Sequence, residues 1–436
     1  MNITGIIAEY NPFHNGHAYH LSCARRETDA DYVIAVMSGN FVQRGAPALL
    51  DKYTRARMAL SEGADLVLEL PPAWSCASAE YFAGAAVCLL GQLGCVQTLC
   101  YGCETPDSSL YAKICTILLE EPPLYRRLLH QASRQGASYA AAREKALLAL
   151  LPATEQADAA AILKNPNNIL ALEYRKAITA SPFLLKTHPV LRKDCGYHSD
   201  SLSGTFASAS AIRTLLYSYS RHARQTAENS CTKQAFVLAQ QDFQTLARIM
   251  PDAALHLLCG YHRQYPFLYE ADCSQMLHYC LMKQAAEGFG TFADCPQSLS
   301  NKICRSLPDY CGFDAFCQSL KSKDLAYARI RRILMHILLD IRKDDYERWR
   351  SRLYVPYARI LGFRKESAAL LGHIKKHSSI PLLARAADAG KILSGRESQA
   401  FFQKHLFADA VYRALAAEKG GQAMKDEYRQ QTAVIR

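Results

Sequence analysis

The sequence lacks an apolar run able to cross a bilayer: its most apolar stretch, from Phe82 to Gly102, is rich in glycine and broken by Gln92 and Gln97. No membrane anchor is expected. A glycine-rich phosphate loop of the Walker type is also absent, which excludes that class of ATPase. Repeats and low-complexity tracts are missing too. No signal peptide precedes the sixteen cysteines, which are scattered from Cys23 to Cys317, so they are expected as reduced thiols in the cytoplasm rather than as a disulfide framework. Cys100 and Cys103 make a single CxxC, and a structural zinc site wants four ligands, so no resident metal is expected.

What is present is a chain of 436 residues, half of them hydrophobic, enough for two or three domains with a substantial core. Its net charge of +11 makes phosphate-rich partners, nucleic acid among them, early candidates. "NITGIIAEY", "DYVIAVMSG", "ADLVLELP" and "VQTLCYG" read as short strands, separated by the helical stretches "NGHAYHLSCARRET", "DKYTRARMALSEG" and "SAEYFAGAAVCLLGQLG". This alternation predicts an α/β fold, a Rossmann-like domain with a parallel sheet. Residues from about 105 to 180 read as mainly helical, and a glycine-serine loop then leads into a helix near residue 208. Beyond about residue 225 strand patterning is scarce and amphipathic runs such as "LAYARIRRILMHILLDI" predict a mainly α-helical C-terminal domain. The expected division is 1–220 and 221–436.

In parallel sheets ligands bind beyond the carboxyl ends of the strands, where "NPFHNGH", "SGNFVQRG", "LPPAW" and "GCETPD" fall. His14 and His17 stand three apart around Gly16 at a strand-to-helix transition. A glycine there admits close backbone approach, a helix start offers unpaired N–H groups, and imidazoles can donate to a transferring phosphoryl group. The other readings are a turn with incidental histidines, or a zinc pair, for which no third ligand is near. In "SASAIR", Ser208 and Ser210 open a helix and Arg213 follows one turn later, a second cradle for phosphate. Lys52 and Arg44 lie in strand-end segments, within reach of an acid or a phosphate.

"FHNGH" resembles the HxGH motif of the nucleotidyltransferase superfamily, and "SASAIR" its serine-threonine-arginine motif. The wider set "EYNPFHNGHAYHL", "MSGNFVQRGAPALLDKYTRARMAL", "GADLVLELP", "SAEYFAGAAV", "NNILALEY" and "VPYARILGF" resembles, in order and over most of the chain, the tRNA(Met) cytidine acetate ligase family. That resemblance implies an enzyme that uses ATP, with Mg2+, to activate acetate as acetyl-adenylate with release of pyrophosphate. It then passes acetyl to N4 of the wobble cytidine of elongator tRNA(Met). His14, His17 and Arg213 would be catalytic. ATP would be held by the first loop, from Ile7 through Ala8, Glu9, Tyr10, Asn11, Pro12, Phe13, His14, Asn15, Gly16, His17, Ala18 and Tyr19 to His20, and by Gly102, Asn167, Arg192, Ser208 and Ser210. Bland roles also fit three of these: a turn for Gly102, a helix cap for Asn167, a surface charge for Arg192. Where the family often shows "FGSE" this chain has "YGCE", which makes Cys103 a poor redox candidate, and "CGYHSD" departs from "GYHD" by an inserted serine.

Residues 321 to 377 hold fifteen Lys and Arg against six Asp and Glu, so most of the net charge sits there. Arg329, Arg332, Arg342, Arg348, Arg350 and Arg359 are the candidate tRNA contacts, and Trp349, Tyr354 and Tyr357 are interleaved with them as platforms for loop bases. A solvated helix face over buried aromatics is the competing reading. Two other functions stay open on the residues alone: an adenylyltransferase for a small cofactor precursor, and a non-catalytic RNA-binding protein on the same scaffold.

Overall fold

The computed structural model describes residues 1–105, 109–193, 204–228, 240–322, 325–351 and 354–436. Among the described residues ten strands are formed: β1 (Ile3–Ala8), β2 (Tyr32–Ser38), β3 (Phe41–Val42), β4 (Ala46–Pro47), β5 (Leu66–Leu70), β6 (Thr98–Cys103), β7 (Lys186–Leu191), β8 (Ala358–Arg364), β9 (Leu382–Leu383) and β10 (Ala433–Ile435). The main sheet runs β10-β8-β5-β2-β1-β6-β7, with β9 paired to β8, and β3-β4 is a separate hairpin. From β5 to β7 all neighbours are parallel. The inner strands β1, β2 and β5 are near-continuous apolar runs, as strands covered on both faces must be.

The chain builds outward from β1 to β2 and β5, then returns to place β6 on the other side of β1. The strand order therefore reverses between β1 and β6, and the crevice at their carboxyl ends is where a doubly wound sheet takes a ligand. Between the strands lie α1 (Asn15–Glu27), α2 (Lys52–Ser61), α3 (Pro72–Ser75) and α4 (Ala79–Gln92). Asp51 caps α2 by accepting the N–H groups of Tyr53 and Thr54 at 2.8 and 3.1 Å. Five helices fill residues 109–180, and the last, Pro166–Ala180, packs on α4.

The C-terminal half is mainly helical, as its amphipathic runs predict, but it also supplies three strands that the sequence does not announce. β8 pairs antiparallel with β5, and β10 joins β8. The sheet thus crosses residue 220. A buried network of charge fixes the join: the Lys52 ammonium donates to both Glu69 oxygens at 2.9 and 3.0 Å and to Asp409 at 2.6 Å, and lies 3.0 Å from Glu427. Arg359 pairs with Glu427 at 3.0 Å, and His405 Nε2 lies 2.8 Å from Glu69. Burial works to raise the Glu69 carboxyl, but His405 and Lys52 outweigh it and hold it at about 2.

Candidate active site

The end of β1 turns sharply into α1, and Tyr10 takes φ +49° in that turn, a conformation that side chains other than glycine adopt mainly where surrounding structure holds them. His14 is the N-cap of α1. Its Nδ1 accepts the Gly16 N–H at 3.0 Å, and His17 Nδ1 accepts the His14 N–H at 3.3 Å, a reciprocal cap made of two imidazoles. The rings stack with centroids 3.8 Å apart. Tyr10 and Phe13 close on His17 from behind, at 4.9 and 5.4 Å. Phe13 is fully buried, so its part in the loop is to back the ring. A Cβ on Gly16 would lie 2.9 Å from His14 Cε1, which explains the glycine between the histidines.

Burial, with the charges of Arg192 and Arg213, pulls the His14 pKa down to about 3, and burial with His14 and Arg192 pulls His17 well below its usual value. Both rings are neutral at pH 7. Because each Nδ1 already accepts a hydrogen bond, each neutral ring carries its proton on Nε2, as a donor.

The distant candidates converge on this turn. Arg213, on the helix Ala209–Glu228, donates to Asn11 O at 2.6 Å and to Ser210 Oγ at 3.0 Å. Ser208 caps that helix by accepting the Ala211 N–H at 3.0 Å. Asn15 Nδ2 donates to the Thr205 and Arg248 carbonyls, both at 2.9 Å, so α1 is tied to the segment before Ser208. Arg192 follows β7 directly and its charge reaches His14, His17 and His20. Gly102 lies beneath it: a Cβ there would meet Arg192 Cγ at 3.5 Å. Asn167 donates to the Glu104 carboxylate, which fixes the strand end that carries Gly102. Ile7 and Ala8 end β1, Glu9 accepts the Gln43 N–H at 2.8 Å, and Pro12 is buried in the turn. Ala18 and Tyr19 continue α1, and Tyr19 packs edge-on to Phe206. His20 Nε2 is 3.4 Å from Cys100 Sγ; burial lowers the histidine to about 4 and raises the thiol, so the pair is neutral and unreactive.

Arg55 is a residue the sequence reading missed. Fully buried on α2, it donates to the carbonyls of Glu9, Ser38, Gly39 and Leu50, binding the ends of β1 and β2 to one guanidinium. An arginine inside a helical run carries no mark of burial, so no local signal was available.

Several expectations are corrected by burial. Lys52 cannot reach acetate or phosphate, since its ammonium is fully enclosed by three carboxylates. The same ammonium binds Glu69 and Asp409, two members of the Glu69, His405 and Asp409 group, whose ligand atoms otherwise suit a cation. Arg359 is 1% exposed and salt-bridged inside the molecule, so it offers RNA no surface. Trp349 and Tyr357 are buried, packing edge-on to Phe401, and cannot stack on bases. Tyr354 is half-buried against the same ring. Arg348 and Arg350 are exposed; Arg329, Arg332 and Arg342 are half-buried. Cys103 donates to the Val190 carbonyl inside the sheet, and "CGYHSD" lies outside the described residues.

Comparison with known proteins bears on the same set of segments. The model of the HIGH nucleotidyl transferase family matches residues 1–427. A tRNA(Met) cytidine acetate ligase of Halothermothrix orenii is 35% identical over 416 residues, covering 94% of this chain and 93% of that protein. One of a Thermoanaerobacter species is 36% identical over 414 residues, covering 94% and 95%. The chain belongs to the tRNA(Met) cytidine acetate ligase family. Among solved structures, Thermotoga maritima TmcAL bound with alpha-thio ATP superposes with a TM-score of 0.86 at 26% identity over the whole of both chains, and its apo form with 0.88. In this member of the tRNA(Met) cytidine acetate ligase family, Arg213 bonds to the HxGH turn at Asn11, the charges of Arg192 and Arg213 reach His14, and Gly102 lies against Arg192.

Proposed function

We propose that the protein is an ATP-dependent tRNA(Met) cytidine acetate ligase. The observation that carries this is the pair of neutral, Nε2-protonated histidines at the switch-point crevice, in a chain that matches ligases of that name over 94% of its length. In the first step an acetate oxygen attacks the α-phosphorus and the bond to the bridging oxygen breaks, releasing pyrophosphate. Acetate is already an anionic nucleophile, so no activated serine or cysteine is required. The enzyme must align the reactants and offset charge developing on phosphate oxygens. His14 and His17 act as donors held in place by their own caps, and Arg213 stands across the turn from them. Arg192 adds positive charge at the β7 end, and Asn167 steadies the Gly102 strand end.

In the second step N4 of the wobble cytidine of elongator tRNA(Met) attacks the acetyl carbonyl carbon, AMP leaves, and the attacking nitrogen loses a proton. ATP enters with Mg2+, acetate is the acid, and the reaction takes place in the cytoplasm. No described helix is long and apolar enough to cross a membrane. Residues 221–436 supply the RNA surface while also completing the sheet, with exposed Arg348 and Arg350 foremost and Arg329, Arg332 and Arg342 beside them. Acetate-dependent exchange of labelled pyrophosphate into ATP, measured without tRNA, tests the first step. Exchange that requires acetate supports the reading; ATP binding with no exchange would leave an RNA-binding protein on a nucleotidyltransferase scaffold.

A further inference from the structure

Two guanidiniums meet at one hydroxyl. Ser210 Oγ lies 3.0 Å from Arg213 Nη2 and 3.2 Å from Arg44 Nη1, although Arg44 and Ser210 are 166 residues apart. Among the described residues neither arginine has a carboxylate partner. The acids whose charge reaches Arg213 make no ion pair with it: Glu270 is salt-bridged to Arg331, and Glu9 accepts the Gln43 N–H. Like charges this close repel, and one neutral hydroxyl does not offset them. Burial and the charge of Arg44 pull the Arg213 pKa down. An anion is the complement that both forks lack.

Arg44 is also presented on a braced support. It stands at the tip of the β3–β4 hairpin, whose turn closes with Gly45 N–H donating to Val42 O at 2.9 Å. The Gln43 bond to Glu9 pins one side of the tip to the β1 turn. On the other side Gly45, at φ +72°, lies against the helix Tyr327–Leu338: a Cβ there would be 2.5 Å from the Arg331 carbonyl carbon and the Arg332 nitrogen. That contact needs glycine twice over, for its left-handed backbone and for its bare Cα. Arg213, for its part, holds the Asn11 carbonyl beside the turn that leads to His14.

We propose that Arg44 is a second guanidinium for the two terminal phosphates of ATP, and so for the pyrophosphate product, beside the Ser210–Arg213 motif to which the family resemblance already gives a phosphate role. The assignment rests on the ATP-dependent reading above and adds one residue to it. The helix Tyr327–Leu338 takes part indirectly, as the wall against which the hairpin tip is seated.

Calorimetric titration of the full-length protein with pyrophosphate, ATP and AMP, each with magnesium, tests this. Arg44→Ala weakens pyrophosphate and ATP by roughly 10- to 100-fold, the effect of losing a charge-assisted hydrogen-bonding group, while AMP affinity stays within about twofold. Arg44→Lys restores part of the loss, and Gly45→Ala shifts pyrophosphate in the same direction by displacing the tip. Unchanged pyrophosphate affinity in Arg44→Ala would overturn the subsite, as would an equal loss for ATP and AMP, or a loss confined to tRNA. If the binding shifts occur but the protein fails to acetylate tRNA, the activity reading falls and the subsite stands.

Discussion

His14 and His17 hold each other in place: their rings stack at 3.8 Å, the Nδ1 of His14 caps the helix at Gly16, and the Nδ1 of His17 accepts the His14 N–H. Each therefore presents Nε2–H as a neutral donor, prepared before substrate arrives. His17→Ala removes one such donor and opens the cap, so adenylate formation falls by about 10²- to 10³-fold. Affinity for tRNA stays within about twofold, because the proposed RNA surface, with Arg348 and Arg350 foremost, lies elsewhere in the chain. Pyrophosphate exchange and filter binding on the same preparation check both halves of this statement.

Gly16→Ala acts on chemistry through geometry. Its Cβ would press on His14 Cε1 at 2.9 Å, and the ring must move. A displacement of that order costs about 10²-fold in rate. Thermal unfolding shifts by only a few degrees, since the change leaves the sheet untouched. An exchange rate within threefold of the unmutated protein would refute the packing argument.

The same histidines make stability depend on pH. His14 titrates near 3 in the folded protein and near 6.5 when unfolded, and His17 and His20 are shifted in the same direction. Between these values the unfolded chain binds more protons, so stability falls as pH drops below about 6.5 and continues to fall towards 3. Urea midpoints measured from pH 7.5 to 4.5 decrease steadily. In His14→Asn the decrease is shallower.

Buried and exposed arginines of the basic segment separate cleanly. Arg359→Ala removes one of the two cations paired with buried Glu427, which keeps Lys52 and the Tyr53 hydroxyl, and destabilises the fold by about 1.5–3 kcal/mol. Arg350→Glu, at an exposed site over the Tyr81 ring, leaves the unfolding temperature nearly unchanged. It weakens tRNA binding and reduces the slope of affinity against salt by about one phosphate contact. Calorimetry and salt-dependent binding distinguish the two.

The four strands β1, β2, β5 and β6 were legible because each is a short apolar run closed by a turn, and the HxGH turn was legible because three residues carry it locally. The convergence of Ser210, Arg213 and Arg192 on that turn followed from motif resemblance and is now visible as hydrogen bonds and electrostatic reach. What stayed hidden depends on distance along the chain. Lys52 meets Asp409 across 357 residues, and a lysine in a helical run looks the same whether solvated or enclosed. β9 and β10 hold two and three residues, too few for a period to show. Trp349 and Tyr357 alternate with arginines whether they serve a core or a base, and only packing on Phe401 decides between them.

The most direct test of the whole account is mass spectrometry of nucleosides from elongator tRNA(Met), unmodified at its wobble cytidine, after incubation with the protein, ATP, magnesium and isotope-labelled acetate. Labelled N4-acetylcytidine from the unmutated protein, and roughly 100-fold less or lower from His17→Ala, is the expected result. Intact, bound tRNA with no labelled nucleoside would contradict it.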